Sequence, residues 1–289
     1  MLYLVGAAFC LGWIGVFVRQ IQATSAATLV FYRVFLTVIV LLLWTRRLCP
    51  PTSRREWLSL AGFGTLQAAT YLLYLSAYRH TTVANAAFLH YLAPVFVLLL
   101  APSVLGERVE RRILLALAPA LMGTALLTGG DWFSGEVVFS SGDLLATCSA
   151  LTYAGYTVMA RATGHRTGAL RMTLWVHLMG LPVIILFNLV MHHGGFVAAS
   201  CDWPYVLLLA FVSTTLAFIL FFRGLQMLPA SQGTLIMLLT PVISALLAWL
   251  LLDEPLPPRQ GVGAIFIVLA AFLAQSHRTE LQKRKSRIE

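Results

Sequence analysis

The sequence predicts an all-α polytopic membrane protein, with ten transmembrane helices arranged as two inverted five-helix repeats. Three observations predict it. Of 289 residues, 59% are apolar and only 11% charged, against about 25% charged in a soluble domain. A water-exposed globule of this size would lack the polar side chains to cover itself. Apolar runs close to the roughly 20 residues that cross a bilayer recur along the whole chain, and the second half repeats the first at a constant shift. The net charge of +9 lies in the short gaps between apolar runs. That placement excludes a nucleic-acid partner and makes the lipid bilayer the surroundings of the chain.

The ten spans are read in order from their punctuation. Span one, about 2–18, stops at Arg19-Gln20, and the break to span two (25–44) is the weakest. A removable leader ending at Ala23-Thr24-Ser25 is the rival for this stretch. No basic segment precedes the run, however, and its apolar core is long for a leader. Arg46-Arg47 and Arg54-Arg55 separate span two from span three (57–78), and Arg79-His80 separates that from span four (82–104). Gly106-Glu107-Arg108 and Arg111-Arg112 lead into span five (112–128), and Gly129-Gly130 end it. Spans six (141–160), seven (171–191) and eight (203–222) close on Arg161, His192-His193 and Arg223. Span nine (229–252) ends at Asp253-Glu254-Pro255, and span ten (259–276) runs into a basic tail, 277–289. Cys10, Cys49, Cys148 and Cys201 show no paired spacing and no Cys/His cluster, so neither a disulfide framework, a metal site nor a cofactor is expected.

Charge sets the expected orientation. With the N-terminus cytoplasmic, the inside segments hold 16 Lys and Arg residues and the outside loops only Arg19, Arg79 and Arg259. Such a bias is the positive-inside pattern. It places both termini in the cytoplasm of a multi-pass protein of the cell (inner) membrane, with the tail at the anionic leaflet.

A shift of 147 residues lays Pro94 on Pro241, Glu107 on Glu254 and Arg112 on Arg259, and nine of the 21 positions from 92 to 112 match. Asn85 falls on Gln232, keeping an amide in both copies. The halves are therefore 1–130 and 141–276. Five spans is an odd number, so the second half enters the membrane from the opposite side, as in the inverted repeats of many secondary transporters.

The chain resembles the drug/metabolite transporter superfamily, in particular ten-span proteins with two EamA-type domains. The resemblance rests on Gly12-Trp13, on Thr28-Leu29-Val30-Phe31-Tyr32-Arg33, and on Tyr74 to Tyr78 running through Leu92-Ala93-Pro94 to Gly106-Glu107. The second copy repeats it from Phe221 to Leu225, through Thr240-Pro241, to Asp253-Glu254-Pro255. It implies a ten-helix bundle around a central cavity and the transport of small solutes, often export of amino acids, metabolites or drugs.

Candidate transport residues follow from depth and chemistry. Pro94 and Pro241 lie mid-span, each removing a helical hydrogen bond; they are gating candidates, or else packed kinks. Asn85 and Gln232, in the small-residue openings of spans four and nine, are the matching gate amides. Arg33 is the one basic residue well inside a span, and at the centre an arginine costs about 2.5–3.5 kcal/mol even on insertion scales. It must face the interior, as a structural cap, as an anion contact, or with its head drawn to the outer headgroups. His90 can bond substrate, carry a proton, or rest neutral against a neighbouring helix. Gln67, Tyr71, Tyr74 and Tyr78 fall on one face of span three. Trp13, Tyr153 and Tyr156 stand at mid-depth in the first helix of each half, able to stack on a solute or simply to pack. The expected substrate-binding set is Trp13, Arg33, Gln67, Tyr71, Tyr74, His90, Tyr153 and Tyr156, with an amino acid or related metabolite as solute and the proton as a coupling ion. A membrane-embedded enzyme is the rival class, yet no paired carboxylates, HExxH or DxxD motif supports it.

Overall fold

The computed structural model describes residues 1–45, 51–128, 140–164, 168–191 and 198–275. The arginines at 46, 47, 166 and 278, the link from 129 to 139, His192, His193 and the basic tail 277–289 lie outside the described residues. Among the described residues the chain is helical throughout, with no strand.

Helix α1 (Leu2–Gln20) turns at Trp13, and α2 (Ala26–Thr45) and α3 (Arg54–Ala77) are continuous. Ser53 caps α3 by accepting the Glu56 amide, in the manner expected of a serine before a first turn. Helix α4 (Val83–Leu105) is interrupted at Tyr91-Leu92, two residues before Pro94. Helices α5 (Arg111–Thr128), α6 (Ser141–Gly164) and α7 (Ala169–Met191) follow. Helix α8 (Ser200–Met227) carries a π-helical stretch, Phe211–Leu216. Helix α9 (Ala230–Leu252) is interrupted at Leu238, three residues before Pro241, and α10 (Pro258–Leu273) closes the described chain. The interruptions of α4 and α9 thus fall 147 residues apart. A proline can neither donate to the preceding turn nor let its ring pass the carbonyl four residues back, so the helix breaks ahead of it.

Eight of these helices are long and apolar enough to cross a membrane. The other two are α6, which carries Asp143, Arg161 and a run of hydroxyls, and α10, which has 16 residues. The sequence reading of ten spans thus meets a stricter criterion in eight.

Packing is pairwise and regular. Helix α3 lies on α6 and α7, and α8 lies on α1 and α2; α4 packs on α6 and α9 on α1; α5 faces α10, and α2 faces α7. Without a hydrophobic drive between helices, close contact depends on small residues. Gly123 and Gly263 supply it between α5 and α10, where a Cβ on either would sit 2.6–2.7 Å from the other's carbonyl oxygen. Gly64 and Gly180 do the same for α3 and α7, at 2.6–2.8 Å from backbone atoms.

Bonds between helix ends sort them into two faces. On one, Glu107 pairs with Arg161 and Glu56 with Arg171, while Arg112 donates to the Gln275 carbonyl. On the other, Arg19 pairs with Glu254, Asp202 accepts from Thr24, and Thr81 donates to Asp143. Successive helices run in alternating directions between these faces.

Candidate functional site

Arg33 is the centre of the buried polar interior. It sits in the second turn of α2, only 9% exposed. Its Nε donates to the Thr214 hydroxyl at 3.0 Å and one terminal nitrogen reaches the Ser213 carbonyl at 3.4 Å. Its guanidinium lies 4.8 Å from the centroid of the Tyr71 ring, where the negative face of the ring attracts a cation. Among the described residues no carboxylate pairs with it.

The π-helical stretch of α8 makes this partnership. A wider turn displaces the carbonyl ladder by one residue, so Thr214 donates to Leu209 and Thr215 to Ala210, five residues back. Ser213 donates to the Cys10 carbonyl of α1 and the Thr215 hydroxyl lies 2.9 Å from that of Thr37 of α2, tying three helices together around the arginine. Such single-turn widenings are frequent at functional sites. The sequence reading did not single out Ser213-Thr214-Thr215. The available signal was three consecutive hydroxyls in an otherwise apolar span.

One helical turn towards the Glu107 face, the Gln67 amide of α3 approaches His177 Nε2 of α7 at 3.3 Å and the Tyr71 hydroxyl at 3.5 Å. His177 Nδ1 lies 2.7 Å from the Thr173 carbonyl. A carbonyl only accepts, so Nδ1 carries a proton and Nε2 is free to accept from the amide. The ring is wholly buried against Phe218, centroids 4.9 Å apart. His177 therefore belongs to the interior more fully than its place in span seven implies.

His90 lies in a second, aromatic cluster. Its Nδ1 is 2.8 Å from the Ser149 hydroxyl of α6. Its ring lies 4.3 Å from Tyr74, 5.5 Å from Tyr153 and 5.7 Å from Tyr91, centroid to centroid. His90, Tyr74, Tyr91 and Tyr153 are all half-buried. Helix α3 carries Gln67 and Tyr71 to the arginine side and Tyr74 to the histidine side, so one stripe serves both clusters.

The other sequence candidates fall elsewhere. Tyr156 is buried against Phe63 and Phe221 in the largest apolar core, against which Tyr71 and Tyr153 of the site also pack. Trp13 stacks on Phe17 at 5.5 Å and packs in an apolar cluster with Leu29, Val206 and Leu209. Gln232 is buried and donates to the Ala274 carbonyl at 2.6 Å, whereas the buried Oδ1 of Asn85 has no hydrogen-bond partner among the described residues. Pro94 and Pro241 are both buried at the start of the second segments of their helices. No group of three or more His, Cys, Asp or Glu able to hold a metal occurs among the described residues.

The chain resembles known proteins over nearly all its length. A family model described as the EamA-like transporter family matches twice, at residues 1–129 and 140–275. A transporter of Archaeoglobus fulgidus, named as uncharacterized, is 27% identical over 94% of both chains. The pseudopaline exporter CntI of Pseudomonas aeruginosa is 25% identical over 74% of each. A crystal structure with a TM-score of 0.78, 20% identical, covers 94% of this chain and 96% of its own, a likeness of fold. With the family model covering both halves, the chain belongs to the EamA-like transporter family and is a multi-pass membrane transporter, not an enzyme.

Proposed function

We propose that this transporter moves a small carboxylate-bearing metabolite, an amino acid or a close relative, by alternating access between two inverted five-helix halves. The observation that carries the substrate class is Arg33. A cation inside a membrane protein is retained against a cost of about 2.5–3.5 kcal/mol, and here hydroxyl, carbonyl and ring surround it, with no acid among the described residues to neutralise it. A solute carboxylate would supply the missing charge, with Tyr71 and Gln67 beside it. The rings of Tyr74, His90 and Tyr153 would take the side chain.

Several features support the two-half reading, in which all ten helices cross. Exchanging α1–α5 with α6–α10 returns the main packed pairs, α3 on α6 and α7 becoming α8 on α1 and α2, and α4 on α6 becoming α9 on α1. The buried face of α5, at Ala116, Ala120, Gly123, Thr124 and Leu127, falls by the 147-residue shift on Gly263, Ile267, Ala270, Ala271 and Ala274, which are buried too. The family model also matches once in each half. Likeness to a named exporter favours export, and the arginine bias favours cytoplasmic termini in the cell membrane. In this scheme Pro94 and Pro241 are the hinges, and Asn85 and Gln232 line opposite gates.

Reconstitution into liposomes tests the proposal. Saturable counterflow of a carboxylate solute from an amino-acid and metabolite panel is expected, with the amide of that solute poorly exchanged. Flux that rises linearly with concentration and shows no counterflow overturns the carrier reading.

A further inference from the structure

The two halves end their fourth helices in one and the same backbone device. Among the described residues only Gly106 and Asp253 have positive φ, at 65° and 53°. They stand 147 residues apart, cap α4 and α9 in the left-handed conformation, and hand the chain to Glu107 and Glu254 respectively. Aspartate adopts this conformation at a cost that glycine does not bear. The geometry is therefore kept where the residue type has changed.

What the two glutamates do differs. Glu107 accepts from the Ala230 amide, the first of α9, at 3.1 and 3.3 Å, and pairs with Arg161 at 3.2 Å. Arg161, in the last turn of α6, also donates to the Leu225 and Gln226 carbonyls that end α8, both at 2.8 Å. Acid meets helix start and base meets helix end, as the partial charges of those ends require. The pair is about 15% exposed, and all eight residues of Ala230–Met237 are buried behind it.

On the opposite face Glu254 pairs with Arg19, in the last turn of the first helix of its own half, at 2.8 Å. Here the pair is 69% and 41% exposed. Among the described residues' bonds, neither member reaches the segment equivalent to 225–230, which the repeat assigns to residues 78–83. Of Val83–His90 only Ala86 and Leu89 are buried, Val83 is 66% exposed, and the buried Asn85 Oδ1 has no hydrogen-bond partner among the described residues. One end of the bundle is held by its Glu–Arg pair, while at the counterpart the segment is tied instead by Thr81, which donates to Asp143 of α6.

We propose that Glu107–Arg161 and Glu254–Arg19 are the two latches of the transport cycle, engaged one at a time. In the conformation described here the first is closed. In the alternate conformation Glu107 and Arg161 release α8 and α9. Glu254 then accepts from the Val83 amide and Arg19 donates to the carbonyls at 78 and 79, closing the other end. The assignment rests on the alternating-access reading above.

The test uses full-length protein in lipid nanodiscs, with Cys10, Cys49, Cys148 and Cys201 replaced and a single reporter at Ala84→Cys or Ser231→Cys. These positions are 147 apart, near the two helix starts. Glu107→Gln should raise the rate of maleimide labelling at 231 about tenfold and lower it at 84, the effect expected from losing a charge-assisted hydrogen bond. Glu254→Gln should do the reverse. It lies on the exposed pair and decides the matter alone if Glu107→Gln does not fold. Reporters that stay unmoved, or that move in the same sense in both variants, overturn the latches. The carrier reading fails separately: absent counterflow with opposite reporter shifts leaves the latches standing and removes transport by this route.

Discussion

Replacing Arg33 by glutamine should weaken carboxylate transport while leaving the amount of folded protein unchanged. Two terms oppose each other in the fold. Removing the cation relieves about 2.5–3.5 kcal/mol of insertion cost. It also forfeits a good hydrogen bond to Thr214, a long one to Ser213 and the Tyr71 ring contact, together about 2–4 kcal/mol. Thr214 keeps its own bond to the Leu209 carbonyl, so no donor is orphaned. Net stability should therefore move by less than about 1.5 kcal/mol. Binding has no such compensation. A charged hydrogen bond to a solute carboxylate contributes about 1.5–3 kcal/mol, which at 1.4 kcal/mol per decade raises the half-saturating concentration roughly 10- to 150-fold. The assay is counterflow in liposomes with a carboxylate solute and its amide, beside a thermal melt in detergent. Arg33→Lys should recover part of the affinity, since charge returns without the planar fork. Equal losses for acid and amide, or a collapse of folded protein with no selective loss, would refute the reasoning and return Arg33 to a structural role.

Four further outcomes follow. Gly123→Ala should lower the melting temperature measurably, because the new Cβ would stand 2.6 Å from the Gly263 carbonyl oxygen and overpacking costs about 1–3 kcal/mol. Gly261→Ala, with nothing within 4 Å, should not. Cysteine labelling in intact cells should find residues 46–55 on the same side as both termini and residues 131–140 and 194–202 on the other; labelling of 46–55 from outside would sink the orientation and the inverted repeat. If the proton is the coupling ion, His90→Gln should flatten the dependence of flux on pH between about 5 and 8, where imidazole ordinarily titrates. Unaltered pH dependence would leave His90 as a hydrogen-bonding and stacking residue. Pro94→Ala and Pro241→Ala should shift the accessibility of cysteines at Asn85 and Gln232 in opposite senses, and identical shifts would make the prolines passive kinks.

Sequence and tertiary structure divide the account of this protein along a physical line. Where helices begin and end was legible, because the bilayer acts on each residue locally: every buried backbone group must be bonded within its own helix, and each charge is driven to an end. The 147-residue repeat was legible through Pro94, Glu107 and Arg112, whose chemistry is rare in apolar runs. The stripe from Gln67 to Tyr74 was legible as helical periodicity. Which faces meet was not. Lipid tails are as apolar as leucine, so a side chain at mid-depth carries no mark of whether it faces lipid, core or site. Trp13 and Tyr156 therefore read as site residues and pack into largely apolar clusters, while His177, inside span seven, stands beside Gln67. The pairing of Arg33 with Thr214 spans 181 positions and depends on a π-turn that no propensity announces. Glu107 and Glu254 are equivalent in sequence, yet one is locked and the other exposed. A repeat specifies two matching parts, and only the packed molecule sets them apart.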